Sequence, residues 1–124
     1  MAETANGQTA QELLDEPGAP VVVVVEGLAE WAGSLAENAI LALFKAVGDA
    51  GALVVTDGEA SAFISKFGLP AAAKASRVGI MLQPEPSDGT ALFGADLPLR
   101  LNRADFPPGR GYYARGGRAV LVQI

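Results

Sequence analysis

The chain has 124 residues, a hydrophobic fraction of 50%, an aromatic fraction of 6% and a net charge of −5. This length and composition predict at most one folded domain with an aliphatic core, and they exclude a disordered chain. With no cysteine and no histidine, the chain cannot itself form a disulfide, a Cys/His zinc site, a cysteine nucleophile or a Ser-His-Asp triad. Only carboxylate and backbone oxygens remain as metal ligands, and these favour Mg²⁺ or Ca²⁺.

Acidic and basic residues are separated along the sequence. Residues 1–44 hold seven acids and no base, whereas residues 100–124 hold five arginines and one acid. The basic end is either ordinary solvated surface or a face for an acidic partner subunit or a phosphate backbone.

Membrane and export signals are missing from the sequence. The longest apolar run, Ala39 to Phe44, is far shorter than the roughly 20 residues that a membrane span needs. The first 20 residues are acidic and lack the apolar core of a signal peptide. We therefore expect a cytoplasmic location, at the inner membrane face if a larger protein carries the chain there.

The domain prediction has two parts. Residues 1–19 form a polar segment with a short helix over 8–16, which Pro17-Gly18-Ala19-Pro20 ends. Residues 20–124 form a single α/β domain.

That domain begins with a run of five valines, Val21 to Val25. A continuous β-branched run predicts a strand that is covered on both faces, as in the centre of a parallel sheet with flanking helices. Glu26 and Gly27 follow at its carboxyl end, which is where open α/β sheets bind ligands.

A helix and a second strand follow the valine run. Ser34 and Glu37 have the spacing of a capping box, an apolar stripe continues at helical spacing to Val47, and Gly51 marks the end. Residues 52–56 then predict a second buried strand that ends in Thr56.

The middle of the chain continues the alternation. We expect a helix that opens at Asp57-Gly58 and ends at Gly68, a turn at Leu69-Pro70, one or two helical turns over 71–75, and a third strand over Val78 to Leu82. The resulting β-α-β-α-β order predicts a three-layer parallel sheet with flanking helices.

The C-terminal third is different in character. Residues 84–109 are rich in proline and predict a long ordered loop. Residues 110–115 and 118–124 are strand-like and are joined by Gly116-Gly117, which predicts a C-terminal β-hairpin.

Phosphate-binding motifs are missing from the sequence. Neither G-x-x-x-x-G-K-[ST] nor G-x-G-x-x-G occurs. The glycines of Pro107-Pro-Gly-Arg-Gly111 do not lie between a buried strand and a helix, so they do not form a phosphate cradle by the usual geometry.

Several motifs nevertheless occur in an order known from one family. They are the valine strand with Glu26-Gly27, Gly51-Ala-Leu-Val-Val-Thr-Asp57, Ser76-Arg-Val-Gly79, Pro107-Pro-Gly-Arg-Gly111 and Arg118-Ala-Val-Leu-Val-Gln-Ile124. Residues 20–124 thereby resemble the C-terminal half of a FtsK/SpoIIIE-type P-loop ATPase domain, in the divergent actinobacterial form that is similar to type VII secretion ATPases. The resemblance implies a partial RecA-like fold, ring assembly and ATP-driven movement of DNA or secreted protein, with ATP and Mg²⁺ as cofactors of the complete domain.

The resemblance also implies site residues. Glu26 takes the place of the acid that handles Mg²⁺, as a degenerate Walker B-like residue, because Glu is longer than Asp and Gly27 has no side chain to orient water. Thr56 and Asp57 take a sensor-like position, and Arg77 and Arg110 are interface residues or loop anchors. The alternatives are a solvated strand-end carboxylate for Glu26 and a helix N-cap for Asp57.

These features predict a motor segment that does not hydrolyse ATP by itself and binds no cofactor or metal alone. Its role would be assembly or partner binding with other subunits or the missing half-domain, as a homo-oligomer. DNA or secreted protein is the cargo in the family, and other domains provide any membrane contact. One alternative is a degenerate module that holds a peptide such as a secretion signal in an apolar groove. The other is a stand-alone α/β protein.

The resemblance has a topological consequence. It places the phosphate-loop strand, which this chain lacks, between the Thr56 strand and the Val78 strand. We expect the resulting slot to be closed by movement of the two strands or by pairing with another copy.

Overall fold

The structure is a computed structural model, and it describes Glu12 and residues 21–124. The predicted segment 1–19 therefore lies outside the described residues, apart from Glu12, which is helical. The chain divides into two compact units, Met1–Ala73 and Lys74–Ile124. A single domain over 20–124 stays a prediction.

The first unit is built on a parallel pair of strands. Its described elements are β1 (Val22–Val25), α1 (Leu28–Trp31), α2 (Glu37–Ala50), β2 (Leu53–Thr56), a 3₁₀ turn (Ala60–Phe63) and α3 (Gly68–Ala73). The strands pair from Val22 opposite Leu53 to Val25 opposite Thr56. The prediction of two parallel strands joined through helices is confirmed.

The valine strand is covered on one face only. Val25 is 9% exposed, whereas Val22 and Val24 are 56% and 60% exposed. Among the described residues β1 pairs with β2 alone, and α2 packs against β2. The prediction of a central strand buried on both faces is wrong for this part of the chain, because no second layer covers the other face.

The predicted amphipathic helix is confirmed as α2. It buries Val47 and ends at Gly51, whose left-handed φ of 69° lets its N–H donate to the Gly48 and Val47 carbonyls. None of the helices within the described ranges is long and apolar enough to cross a membrane.

Glu37 joins the starts of two helices. Its Oε2 accepts from Gly33 N at 2.8 Å, and its Oε1 accepts from Leu69 N at 2.8 Å. In the predicted capping box, the Glu37 carboxylate would accept from the N–H of Ser34. In the structure it accepts from the N–H of Gly33 instead. The hydrogen bonds from Leu69 and Gly33 stabilise the carboxylate and lower the pKa of Glu37.

The helix predicted after Asp57 is wrong in extent. Only a 3₁₀ turn forms there, and Gly68, predicted to end a helix, instead begins α3. The Glu37 carboxylate binds the Leu69 N–H at this point, and Pro70 suits a first helical turn because it has no N–H to leave unpaired.

The second unit is an antiparallel sheet in the order β3-β4-β5, with β3 at Gly79–Leu82, β4 at Arg110–Arg115 and β5 at Arg118–Gln123. The C-terminal hairpin is confirmed, and Gly116 and Gly117 form its turn with φ of 59° and 76°. The prediction of β3 as a third parallel strand is wrong, because β3 pairs antiparallel with β4 from Gly79 opposite Ala114 to Leu82 opposite Gly111.

Glycine explains why β3 and β4 lie so close together. A Cβ on Gly111 would collide with the Met81 carbonyl of β3. Gly79 serves a different contact, because a Cβ there would lie 2.6 Å from the ring of Phe93 in the long loop. The predicted slot beside the Thr56 strand does not form among the described residues, since β3 belongs to the other sheet. The fold is mixed α/β, and a three-layer RecA-like arrangement is not confirmed.

The long loop packs on one face of the antiparallel sheet. It contains a π-helical turn (Gly89–Phe93) and a 3₁₀ turn (Arg103–Asp105). The core of this unit consists of Met81, Ala95, Leu97 and Ala114, with Phe93, Leu101, Tyr112 and Ala119 packed against it.

A glycine pair tests the close approach of β3 and β4. We expect Gly111→Ala to destabilise the protein by about 2–3 kcal/mol, because the new methyl group must displace the Met81 backbone. Gly48→Ala, inside α2 with open space around it, is the matched control and should stabilise by about 0.5–1 kcal/mol. Urea unfolding measures both; equal effects would contradict the packing of Gly111.

The carboxylate of Glu37 should make stability depend on pH. Its folded-state pKa is below the ordinary 4.5, so its contribution is complete above the unfolded pKa and is lost as pH falls through the folded pKa. Glu37→Gln should lower the urea midpoint at pH 7, because the amide NH2 group replaces one of the two accepting oxygens and cannot accept from an N–H group. The difference from the unaltered chain should shrink below about pH 4.5. Glu59→Gln is the control, and a pH-independent difference would contradict this account.

Candidate functional site

The carboxyl end of the parallel pair brings together three of the predicted site residues. Thr56 is the half-buried last residue of β2, and the exposed Glu26 and Asp57 follow β1 and β2 directly. Asp57 N still donates to the Val25 carbonyl at 3.4 Å, so the strand pairing continues to this end. These three residues therefore lie at the carboxyl ends of two paired strands, and their nucleotide-related roles stay predictions.

Asp57 is occupied by the backbone of the neighbouring turn. Its Oδ1 accepts from Gly27 N at 2.6 Å, and its carbonyl accepts from Leu28 N at 3.0 Å. Gly27 has a left-handed φ of 63° and precedes α1. Asp57 thus caps the entry to α1 from across the sheet, and the interpretation of Asp57 as the N-cap of the helix next to it in sequence is wrong.

Glu26 differs from Asp57 in its surroundings. Its backbone carbonyl accepts from Trp31 Nε1 at 2.9 Å, which fixes the strand end. Within the described part of the chain its carboxylate has no hydrogen-bond or ion-pair partner. The same residues contain no group of three or more acidic side chains that could hold a metal ion.

An apolar surface leads up to these two carboxylates. Val22 and Val24 alternate with the covered residues of β1, and Leu53 and Val55 lie beside them on β2 with 57% and 44% exposure. We call these four residues the valine face. Strand alternation places Glu26 and Asp57 at its end, beyond Val24 and Val55.

Arg77 lies in the second unit, at the entry to β3. It is exposed and has a left-handed φ of 53°, which is uncommon for a residue with a side chain. A Cβ on Gly94 would lie 2.9 Å from its Nη1, so glycine there leaves room for the guanidinium. Arg77 therefore packs beside the end of the π-helical turn.

Arg110 binds the loop that precedes β4. Its Nε donates to Gln123 Oε1 at 3.0 Å, and its Nη1 donates to the Asp105 carbonyl at 3.2 Å. Gly109 has a φ of 81°, and Ile124 N donates to its carbonyl at 2.8 Å. The contacts with Gln123 and Ile124 join the Pro-Pro-Gly-Arg-Gly motif to the end of the hairpin, and the contact with Asp105 joins it to the preceding loop.

Two further arginines lie next to each other in the antiparallel sheet. Arg115 and Arg118 are opposite each other in the β4–β5 register, on either side of the glycine turn. Both are exposed, and neither has an ion-pair partner among the described residues. Two like charges at directly opposed positions destabilise a sheet, so this pair is a candidate for binding an anionic group.

The sequence contains a signal for this pair that goes beyond its place in the basic end of the chain. A two-residue turn makes the residues on its two sides cross-strand partners. Arg115-Gly-Gly-Arg118 therefore already specifies that the two guanidinium groups start from adjacent positions.

Comparison of the chain with protein-family models, with curated proteins and with solved structures found no match.

The two carboxylates at the strand ends should respond differently to mutation. Asp57→Ala should destabilise the protein by about 1 kcal/mol, because the Gly27 N–H and the entry to α1 lose their acceptor. Glu26→Ala is the matched control and should change stability by less than about 0.5 kcal/mol. Urea unfolding of the two variants measures this; equal losses would show that Asp57 does not cap the turn.

Proposed function

We propose that this chain is a segment of a FtsK/SpoIIIE-type translocating ATPase that serves assembly and does not hydrolyse ATP by itself. The observation that carries the proposal is the valine face, an apolar sheet surface whose central residue Val24 is 60% exposed. Exposed apolar surfaces of this kind are typical of partner interfaces. We place the chain in the cytoplasm. Its proposed partners are other subunits or the missing half-domain, and its proposed fold is part of a RecA-like domain.

The lack of hydrolysis has its own support. Asp57, in the sensor-like position, binds the Gly27 N–H with its carboxylate and so has a structural role already. Glu26 is available, but a lone carboxylate without a phosphate loop provides neither a phosphate cradle nor a water-orienting base. In the complete family domain, ATP and Mg²⁺ would come with the other half.

Peptide binding is the second candidate, and one observation favours it. Val21 and Val25 accept hydrogen bonds from β2, so alternation turns the backbone groups of Val22 and Val24 away from β2. An extended peptide could pair with this edge while its side chains lie near the valine face. A fluorescent secretion-signal peptide, titrated against the chain, separates this function from subunit assembly.

Two measurements test the assembly role. Calorimetry with Mg·ATP should show no binding, because the sequence contains no phosphate-loop motif. Measurable ATP affinity would contradict the proposal that the chain does not use nucleotide by itself. The tagged chain, co-expressed with a phosphate-loop FtsK/SpoIIIE-type ATPase of the same genome, should co-purify with it.

A matched pair of variants makes the second measurement specific. Val24→Lys should reduce co-purification at least about tenfold, because a charge would have to be buried in the contact. Ala29→Lys, at an exposed position of α1, should have no effect. Absence of co-purification by the unaltered chain would overturn the motor assignment.

A further inference from the structure

The second unit has an exposed apolar face of its own. Ile80, Leu82 and Val120 are 49%, 58% and 55% exposed. The register places Ile80 and Val120 on either side of the half-buried Tyr113, and Leu82 and Val122 on either side of Gly111. The opposite face of this sheet contains the buried Met81 and Ala114. One side of the sheet is therefore a core, and the other is open.

This open face ends in the arginine pair. Strand alternation puts Arg115 on the same side as Tyr113, and Arg118 on the same side as Val120. We call the surface formed by Ile80, Leu82, Tyr113, Val120, Val122, Arg115 and Arg118 the arginine face. It combines aliphatic side chains with two unpaired positive charges at one end, and its own residues include no acid.

The valine face is also aliphatic, and the charges at its end have the opposite sign. It consists of four aliphatic side chains, and its end carries the carboxylates of Glu26 and Asp57, with no base among these residues. Both faces are sheet surfaces, so they can pack about 10 Å apart, as the layers of a β-sandwich do. Apolar area would meet apolar area while opposite charges meet at the ends.

We propose that the arginine face binds the valine face of a second copy of this chain. Glu26 of one copy then lies beside Arg115 and Arg118 of the other. The proposal rests on the assembly role described above and names its partner.

The apolar and charged side chains of the arginine face favour a second copy of the chain over a polyanion as its partner. A nucleic acid would neutralise Arg115 and Arg118, but it would leave the aliphatic side chains of the arginine face in water. Contact with a second copy buries the aliphatic side chains of an arginine face against those of a valine face. Because β1 and β2 have only four residues each, each contact is small, and we expect affinity on the order of micromolar.

A charge exchange tests the pairing. Sedimentation of the unaltered chain should show a concentration-dependent dimer. Glu26→Arg alone, and Arg115→Glu with Arg118→Glu alone, should each raise the dissociation constant at least about tenfold, because each places like charges together. An equimolar mixture of the two variants should restore the dimer, because each contact between unlike copies then pairs opposite charges.

Two charge reversals outside the faces serve as controls for the dimer experiment. Glu59→Arg and Arg100→Glu change exposed charges outside the two faces and should leave the dimer intact. A chain that stays monomeric at about 200 μM, well above a micromolar constant, would overturn the proposal. So would a dimer that survives both reversals, or a mixture no better associated than its components.

Folding of the variants is checked by their urea midpoints. If either reversal unfolds, the milder Glu26→Gln and Arg118→Gln should each weaken the dimer, and unchanged dimerisation would overturn the proposal. Co-purification with the phosphate-loop ATPase is measured in a separate experiment, although Val24→Lys probes the same valine face. A failed dimer with intact co-purification therefore rejects this interface alone, and the reverse outcome rejects the motor role.

Discussion

One hydrogen bond fixes the geometry of the candidate site, namely that from Gly27 N to Asp57 Oδ1. It joins the turn after β1 to the end of β2, so the two parallel strands finish side by side. Gly27 is left-handed at this point, and the Asp57 carbonyl accepts the next N–H along the chain, that of Leu28. The position of Glu26 and the direction of α1 both follow from this pair of contacts. A carboxylate that resembles a catalytic group by its place in sequence is here part of the scaffold.

Local signals predicted the elements that depend on local forces. The apolar stripe and Gly51 were sufficient for α2, and the two glycines of the turn were sufficient for the hairpin. The predictions failed where a residue that is distant in sequence determines the local structure. Gly68 is a typical helix end in sequence, but the Glu37 carboxylate, more than 30 residues away, binds the next N–H and makes it a beginning. The β3 segment is equally suited to a parallel or an antiparallel sheet, and its pairing depends on Gly111.

The candidate site was predictable in part for the same reason. A strand followed by an acid puts that acid at a sheet edge, so Glu26, Thr56 and Asp57 could be grouped from sequence. The unbroken valine run contains no alternation, and so it could not indicate that one of its faces is exposed. Nor could composition distinguish Arg110, which is bound to the loop before β4, from Arg115, which has no partner among the described residues.

The indole of Trp31 donates to the Glu26 carbonyl, and Trp31 is the only tryptophan in the chain. Trp31 is 39% exposed, so its emission is sensitive to the water around this strand end. The protein thus carries a natural optical reporter directly behind its free carboxylate. Any ligand, subunit or proton that reaches this end of the sheet should change the colour or intensity of the fluorescence without the addition of a dye.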